Sequence, residues 1–280
     1  MLSDETLRKL TYAGLPHEAV RLAGGRWEGP PAAPGAVSRP QVELTRKGIA
    51  RGDLDGDGRD EAAVLLLESA GGSALNTWLA IVAEREGTAR NVATMLLGDR
   101  IQIMRFAVAD RRVVVEAVVA GADEPLCCPT RKVRRRFALA DAALVADEEE
   151  SLGSVGLADL GGRSWRLARS DGEAAPASDE AITLALVDGN LVGSAGCNRY
   201  FTGVTSEGGQ QLAVGPIGST RRACPPPVME REQAFLGRLQ GIERFGFASG
   251  ELLLAYRLEG RPGSLVFEAD PEDQDSEGPS

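Results

Sequence analysis

Histidine is nearly missing from this chain of 280 residues: His17 is the one copy. Histidine supplies most general bases at neutral pH and many zinc ligands, so its scarcity leaves little room for either chemistry. Its setting, Gly14-Leu-Pro-His17, reads as a bland surface position. Cysteine is also sparse, with an adjacent pair, Cys127-Cys128, and two single positions, Cys197 and Cys224. Neither arrangement is the C-x-x-C pair of a zinc ribbon. Basic residues number 31 against 41 acidic ones, for a formal charge of -10. That balance excludes a nucleic-acid surface from the expected functions, since such a surface needs a basic stripe. No apolar run approaches the roughly 20 residues that cross a bilayer.

Other machinery is lacking as well. Ser73 and Ser194 lie in glycine-rich turns without a G-x-S-x-G elbow or a histidine base. The glycines at 71 and 72 precede no Lys-Ser/Thr pair, so they make no phosphate loop. The opening residues, Met1-Leu-Ser-Asp-Glu-Thr-Leu-Arg-Lys9, have no apolar core or cleavage site. The protein is therefore expected either to be cytoplasmic or to have lost a signal and any lipid-bearing cysteine.

What is present centres on Arg51-Gly-Asp-Leu-Asp-Gly-Asp-Gly-Arg-Asp-Glu61. Three alternating aspartates, a glycine and a further carboxylate suit a hard cation, which takes six to eight oxygens within a sharply bent loop. Counting Asp53 as position one, Asp55 and Asp57 fall at three and five and Gly58 at six. The main-chain carbonyl of Arg59 and the side chain of Glu61 complete the expected set, for a structural Ca²⁺. Position twelve is Val64, so the bidentate glutamate of an EF-hand is missing. The apolar run Ala62-Ala-Val-Leu-Leu-Leu67 places the loop before a strand. The competing reading is a Gly/Asp-rich hairpin turn without metal.

With 43% hydrophobic and 26% charged residues, the chain reads as globular and long enough for two cores. The fold class expected is mainly β, in two antiparallel domains: an N-terminal one over 1–145, a linker over 146–158, a second over 159–269, and a disordered acidic tail over 270–280. Strands are expected at 42–45, 62–67, 75–82, 101–108 and 113–119, with Arg131 to Leu139 a last, charged edge strand. The second half is expected to hold strands near 182–187, 191–194, 211–214, 245–247, 252–256 and 264–267. One helix is expected from Pro227 to Leu239, with Val228, Phe235, Leu236 and Leu239 inward and Glu230, Arg231, Glu232 and Arg238 in water.

The second half resembles the META domain family, which includes HslJ-like heat-shock lipoproteins. Trp165-Arg-Leu167 looks like its opening strand, and Gly193-Ser-Ala-Gly-Cys-Asn-Arg-Tyr200 looks like its G-x-x-G-C-N-x-[YF] signature. Thr220-Arg-Arg-Ala-Cys224 looks like its T-x-M-A-C segment, with Arg222 where methionine is usual. Glu232-Gln-Ala-Phe-Leu236 looks like the start of its helix, and Leu252-Leu-Leu254 and Leu265-Val-Phe267 fit its final hairpin. The N-terminal half looks like a domain that accompanies META domains in exported bacterial proteins, on Gly52 to Gly58, Glu61 to Val64, Ser69 to Ser73, Leu97 to Arg100 and Cys127-Cys-Pro-Thr130. Its acidic loop is similar to the D-x-D-x-D-G-x-x-D loop of integrin-type FG-GAP repeats, with Glu61 in place of the last aspartate.

The META resemblance implies a non-enzymatic, stress-related or structural protein of the bacterial envelope, periplasmic or lipoprotein-like. Its partner would be another protein, a lipid or a cell-wall component. Membrane attachment would come only through a lipid anchor that this chain does not contain. A Cys197–Cys224 disulfide is expected if the protein is exported; two buried thiols are the alternative. Cys127-Cys128 could be a loop staple, a reduced pair or a strained vicinal bridge, and the last would make a thiol-disulfide redox protein the competing function.

Overall fold

In a computed structural model the chain is described at residues 2–17, 19–31, 38–70, 74–121, 124, 128–176 and 180–270. It forms two compact units, Met1–Gly153 and Ser154–Ser280. In the first, helix α1 (Asp4–Leu7) and a short pair of strands, β1 (Thr11–Tyr12) and β2 (Val20–Arg21), precede two sheets. One sheet runs β3 (Arg26–Glu28), β4 (Gln41–Gly52), β5 (Glu61–Ser69), β6 (Asn76–Arg85), β7 (Thr88–Asp99), each strand antiparallel to the next. The other holds β8 (Gln102–Ala109), β9 (Arg112–Val119), β10 (Arg131–Ala140) and β11 (Ala143–Ala146) in spatial order, and β12 (Glu150–Ser154) also pairs with β10.

Strand β5 explains its own sequence. Successive side chains of a strand point to opposite faces, and here both faces are dry. Ala63 and Leu65 join Leu79 and Ile81 of β6 and Val113, Val115 and Ala117 of β9 in one cluster, so the two sheets face each other across it. Ala62, Val64 and Leu66 point the other way, onto Leu7, Tyr12, Val20 and Leu22 of the N-terminal segment. A strand covered on both sides needs an unbroken apolar run, and Ala62 to Leu67 is one. Burial of this kind is worth about 25 cal/mol per Å² of apolar surface, and it anchors the acidic loop that enters β5.

Two expectations need correcting in this unit. Strand β10 is not an edge: it lies between β9 and β11. Its guanidiniums face carboxylates, not only water. Arg134 meets Glu116 at 2.9 Å and Glu150 at 3.0 Å, Arg135 and Arg131 meet Glu149 at 2.7 and 2.6 Å, and Arg136 meets Glu150 at 3.1 Å. The stretch 146–158, expected as a linker, contains the division between the units after Gly153 but is not structureless: it supplies β12 and the carboxylates of Glu149 and Glu150, and a 3₁₀ turn, Leu157–Leu160, begins within it. Strand β7 was not foreseen. It is an edge strand with a largely half-exposed pattern, so its apolar alternation is weak.

The second unit strings β13 (Ser164–Ser170), β14 (Glu173–Ala174), β15 (Thr183–Val187), β16 (Asn190–Ser194), β17 (Arg199–Thr205), β18 (Ala213–Val214), β19 (Gly218–Ser219), helix α2 (Pro226–Gln240), β20 (Ile242–Ala248), β21 (Glu251–Leu258) and β22 (Arg261–Ala269). The sheet order is β18-β17-β16-β15-β13-β22-β21-β20, with β14 on β13 and β19 on β17. Its two ends meet. Gln211 bridges Arg244, the Leu212 N–H donates to the Glu243 carbonyl at 3.0 Å, and the Phe245 N–H donates to the Gln210 carbonyl at 3.0 Å. Closing a sheet on itself removes its edges.

Helix α2 begins with prolines, which suit a first turn whose N–H groups have no intrahelical partner, and Gly241 follows its end. Its buried positions are Val228, Glu232, Phe235 and Leu239, spaced as one helical stripe. Phe235 meets Tyr200 edge-on at 5.5 Å between ring centres, and Trp165 meets Phe247 at 6.5 Å. Glu232 was expected in water and is instead 4% exposed. Of the tail expected to be disordered over 270–280, Asp270 is instead held, its N–H donating to the Ser164 carbonyl at 2.8 Å and its carboxylate meeting Arg166 at 3.2 Å, and 271–280 lie outside the described residues.

Candidate functional site

The acidic loop is held between β4 and β5. The N–H groups of Gly56 and Gly58 donate to the two oxygens of Asp53 at 2.5 and 3.2 Å, and the Asp57 N–H donates to Asp55 at 3.1 Å. Gly58 sits at φ +82°, the left-handed conformation the tight turn requires. Glu61 is 2% exposed and accepts the Leu54 N–H at 2.9 Å. Ligand atoms of Asp53, Asp55 and Glu61 lie within 4.8 Å of one another. Asp57 stands outside that group, its carboxylate accepting the Arg59 N–H at 2.8 Å. Of the five expected ligands the structure thus gathers three side chains.

Cationic side chains already face this cluster. The Arg85 guanidinium bonds Asp55 at 2.9 Å and holds its carboxyl below the usual range. A Cβ at Gly56 would run into the Arg111 guanidinium. Burial pushes the Glu61 carboxyl the other way, upward, and the neighbouring charges of Asp55 and Asp57 add to that rise.

The second place of interest is the corner formed by the Gly193 to Tyr200 signature. Gly193 is required by space, since a Cβ there would strike the Thr183 carbonyl. That carbonyl accepts the buried Tyr200 hydroxyl at 2.9 Å, and burial raises the Tyr200 pKa. Cys197 and Cys224 are bonded, with Cα atoms 6.1 Å apart. Beside them Asn198 uses every polar atom it has. Its N–H and Nδ2 donate to Glu232 at 2.7 and 2.9 Å, and Nδ2 also donates to the Arg222 carbonyl at 3.2 Å. Its Oδ1 accepts from the Thr220 hydroxyl at 2.8 Å and from the Arg222 N–H at 2.7 Å. The segment 220–224 is therefore fastened twice, by sulfur and by this polar clasp. These bonds tie the signature corner to the distant segment 220–224 and to α2. The buried carboxylate opposite Asn198 was missed, and only its place in the apolar stripe of α2 could have signalled it.

A pocket of about 420 Å³ opens at this corner. Its lining includes Arg166, Thr183, Ser194, Arg222 and both cysteines of the disulfide, with Glu180 on one side.

His17 proves less bland than its sequence setting. Its Nε2 lies 3.1 Å from Glu68, which is 1% exposed, and its ring lies 5.2 Å from that of Trp27. Asn76 donates to the other oxygen of Glu68 at 2.7 Å. These contacts close the far end of β5, where the apolar run stops. Cys128 is half-buried, and Cys127 lies outside the described residues, as does Ser73.

Residues 158–268 match the family model of the META domain, and the match does not extend into the N-terminal half. No curated protein matches the chain. Among solved structures, the chain is similar to an NMR structure of a protein from Burkholderia xenovorans, at 28% identity over 40% of this chain and 84% of that chain, with a TM-score of 0.32. The match to the META domain family thus falls wholly within the C-terminal unit, at residues 158–268.

Proposed function

We propose that this protein is a stress-related binding or structural module of the bacterial cell envelope, periplasmic or lipoprotein-like, and not an enzyme. Its partner is a protein, a lipid or a cell-wall component. The observation that carries the reading is the Cys197–Cys224 bond within the META domain, because such bonds persist in oxidising compartments and are rare in the cytosol. The polar groups of the signature support holding over catalysis: Asn198, Thr220 and Glu232 satisfy one another and leave none poised as a nucleophile or base. The test is cell fractionation of the native host, followed by thiol alkylation without reductant and intact-mass analysis. No more than two labelled cysteines, in protein from the envelope fraction, is expected; four labels, or a cytoplasmic pool alone, sinks the reading.

The proposal includes a structural Ca²⁺ held by Asp53, Asp55 and Glu61, supported by the convergence of their oxygens within 4.8 Å. Such a set can join the six to eight oxygens that Ca²⁺ takes. Calcium is expected to raise the melting temperature, and Asp55→Ala to abolish the rise. Identical curves with and without calcium in the wild-type protein would exclude the ion.

A further inference from the structure

The pocket beside the disulfide gathers four donor side chains, of Arg166, Thr183, Ser194 and Arg222, with Glu180 as the one carboxylate of its lining. Strand register lays a row across four neighbouring strands: Arg166 of β13 is opposite Thr183 of β15, and Ser194 of β16 is opposite Arg199 of β17. The Ser194 N–H donates to the Thr183 hydroxyl at 3.0 Å, which joins the two halves of the row. Directly paired residues of an antiparallel sheet share a face, so two guanidiniums flank two hydroxyls.

The hydroxyls are biased as donors. Thr183 Oγ1 accepts the Ser194 N–H, and Ser194 Oγ accepts the Gly196 N–H at 3.2 Å. Backbone donors thus occupy one of the two acceptor sites on each oxygen and leave its hydrogen free to donate to a ligand. From the other side comes Arg222, whose main chain is gripped by Asn198 through both its N–H and its carbonyl. Its side chain has no hydrogen-bond or ion-pair partner among the described residues. The acidic groups nearby are engaged: Glu180 faces Arg231 at 3.5 Å, and Asp270 meets one nitrogen of Arg166 at 3.2 Å. Three guanidiniums, of Arg166, Arg222 and Arg231, therefore stand against three carboxylates, of Glu180, Asp270 and Glu268, the last opposite Arg166 on β22, with Arg199 next in the row as a fourth cation, on a chain of net charge -10.

We infer that this pocket binds a compact organic anion, a phosphate monoester or carboxylate, with Arg222 and Arg166 as charged donors and Thr183 and Ser194 as neutral ones. Guanidinium forks match both oxyanions in geometry. The volume, about 420 Å³, exceeds what a bare ion fills and suits a small molecule or the head group of a larger one. The inference names the ligand class of the binding role proposed above. It does not depend on compartment, because the Asn198 clasp positions Arg222 whatever the state of the sulfurs.

The experiment is calorimetric titration of the full chain with inorganic phosphate, acetate, glycerol 1-phosphate and glycerol, and co-sedimentation with phosphatidylcholine vesicles with and without phosphatidic acid, whose head group is a phosphate monoester. Saturable binding of glycerol 1-phosphate or acetate, and none of glycerol, is expected. Arg222→Gln should weaken it by about tenfold or more, since a charge-assisted bond is lost. Arg221→Gln, one residue away, should change it less than about twofold, because Arg221 does not line the pocket. Retention on phosphatidic acid vesicles that Arg222→Gln abolishes would identify a lipid head group as the source, and binding of the soluble anions alone a free metabolite. No saturation by any of the anions up to about 10 mM, an affinity worth less than about 3 kcal/mol, or equal weakening by both substitutions, overturns the inference. An envelope location disproved by fractionation would leave these titrations unchanged, so the two failures are distinguishable.

Discussion

Replacing Asn198 with aspartate exchanges an amide NH₂ for an oxygen and leaves the shape of the side chain intact. In the native protein that NH₂ donates to Glu232 Oε1 at 2.9 Å and to the Arg222 carbonyl at 3.2 Å. In Asn198→Asp three acceptors converge where one donor had served two of them. Two carboxylates then face each other at a site where the residues are 2% and 4% exposed. Each lost bond that strands a buried group costs about 1–3 kcal/mol, and an unpaired buried charge about 3–5, so the second unit should lose about 3–5 kcal/mol at pH 7.

The loss carries a pH signature. Like charges in contact raise the folded pKa of one carboxyl above its unfolded value. A group shifted that way destabilises the fold above its folded pKa and ceases to do so as pH falls through it. Asn198→Asp should therefore regain stability between pH 7 and pH 5, and Asn198→Ala should not. Both units contain tryptophan, so fluorescence would mix their transitions. Pulsed hydrogen exchange along a urea series, read by peptide mass, separates 154–270 from the rest. An unchanged midpoint for these peptides at pH 7, or equal losses at pH 5 and pH 7, would refute the account of the clasp.

Other perturbations probe other parts. Leu65→Ala empties a site shared by the two sheets of the first unit and should cost about 2–5 kcal/mol, read in the same experiment as an earlier midpoint for peptides before residue 153 only. Changing both Cys197 and Cys224 to alanine removes a link across 27 positions and should lower the stability of the second unit by about 3–4 kcal/mol on the chain-entropy estimate. Peptides covering 220–224 should nevertheless keep native protection, because the Asn198 bonds remain. Burial would raise the Asp171 carboxyl, but the Tyr256 hydroxyl, the Ser264 N–H and the Arg238 charge outweigh it and hold the pKa below 3.8. A depressed carboxyl stabilises the fold above its unfolded pKa and loses that contribution as pH falls through the folded one. Asp171→Asn should thus flatten the stability profile below about pH 4, as acid titration by circular dichroism would show.

How much of this could be read from the residues alone depended on what each residue answers to. Helix α2 was legible because a single period carries Val228, Phe235 and Leu239, and its expected span, 227–239, sits inside the observed one. Strand β5 was legible because both of its faces demand apolar side chains. Glu232 was misread because the partner that admits a carboxylate to the stripe, Asn198, lies 34 positions away. Strand β10 was misread for a similar reason: five basic residues look like an exposed rim until Glu116, Glu149 and Glu150 are brought beside them. In the acidic loop, spacing placed the carboxylates together but could not place Arg85, which arrives from β6 to meet Asp55.

The double coverage of β5 has a consequence for how this protein can change. The strand is a party wall between two rooms, and its odd and even residues belong to different tenants. An exchange that suits one side leaves the other side's walls where they were, but a one-residue slip would hand every side chain to the wrong room at once. Variation in the first unit should accordingly collect at the rims of its sheets, and the acidic bend at the entrance of that wall inherits the stillness of everything behind it.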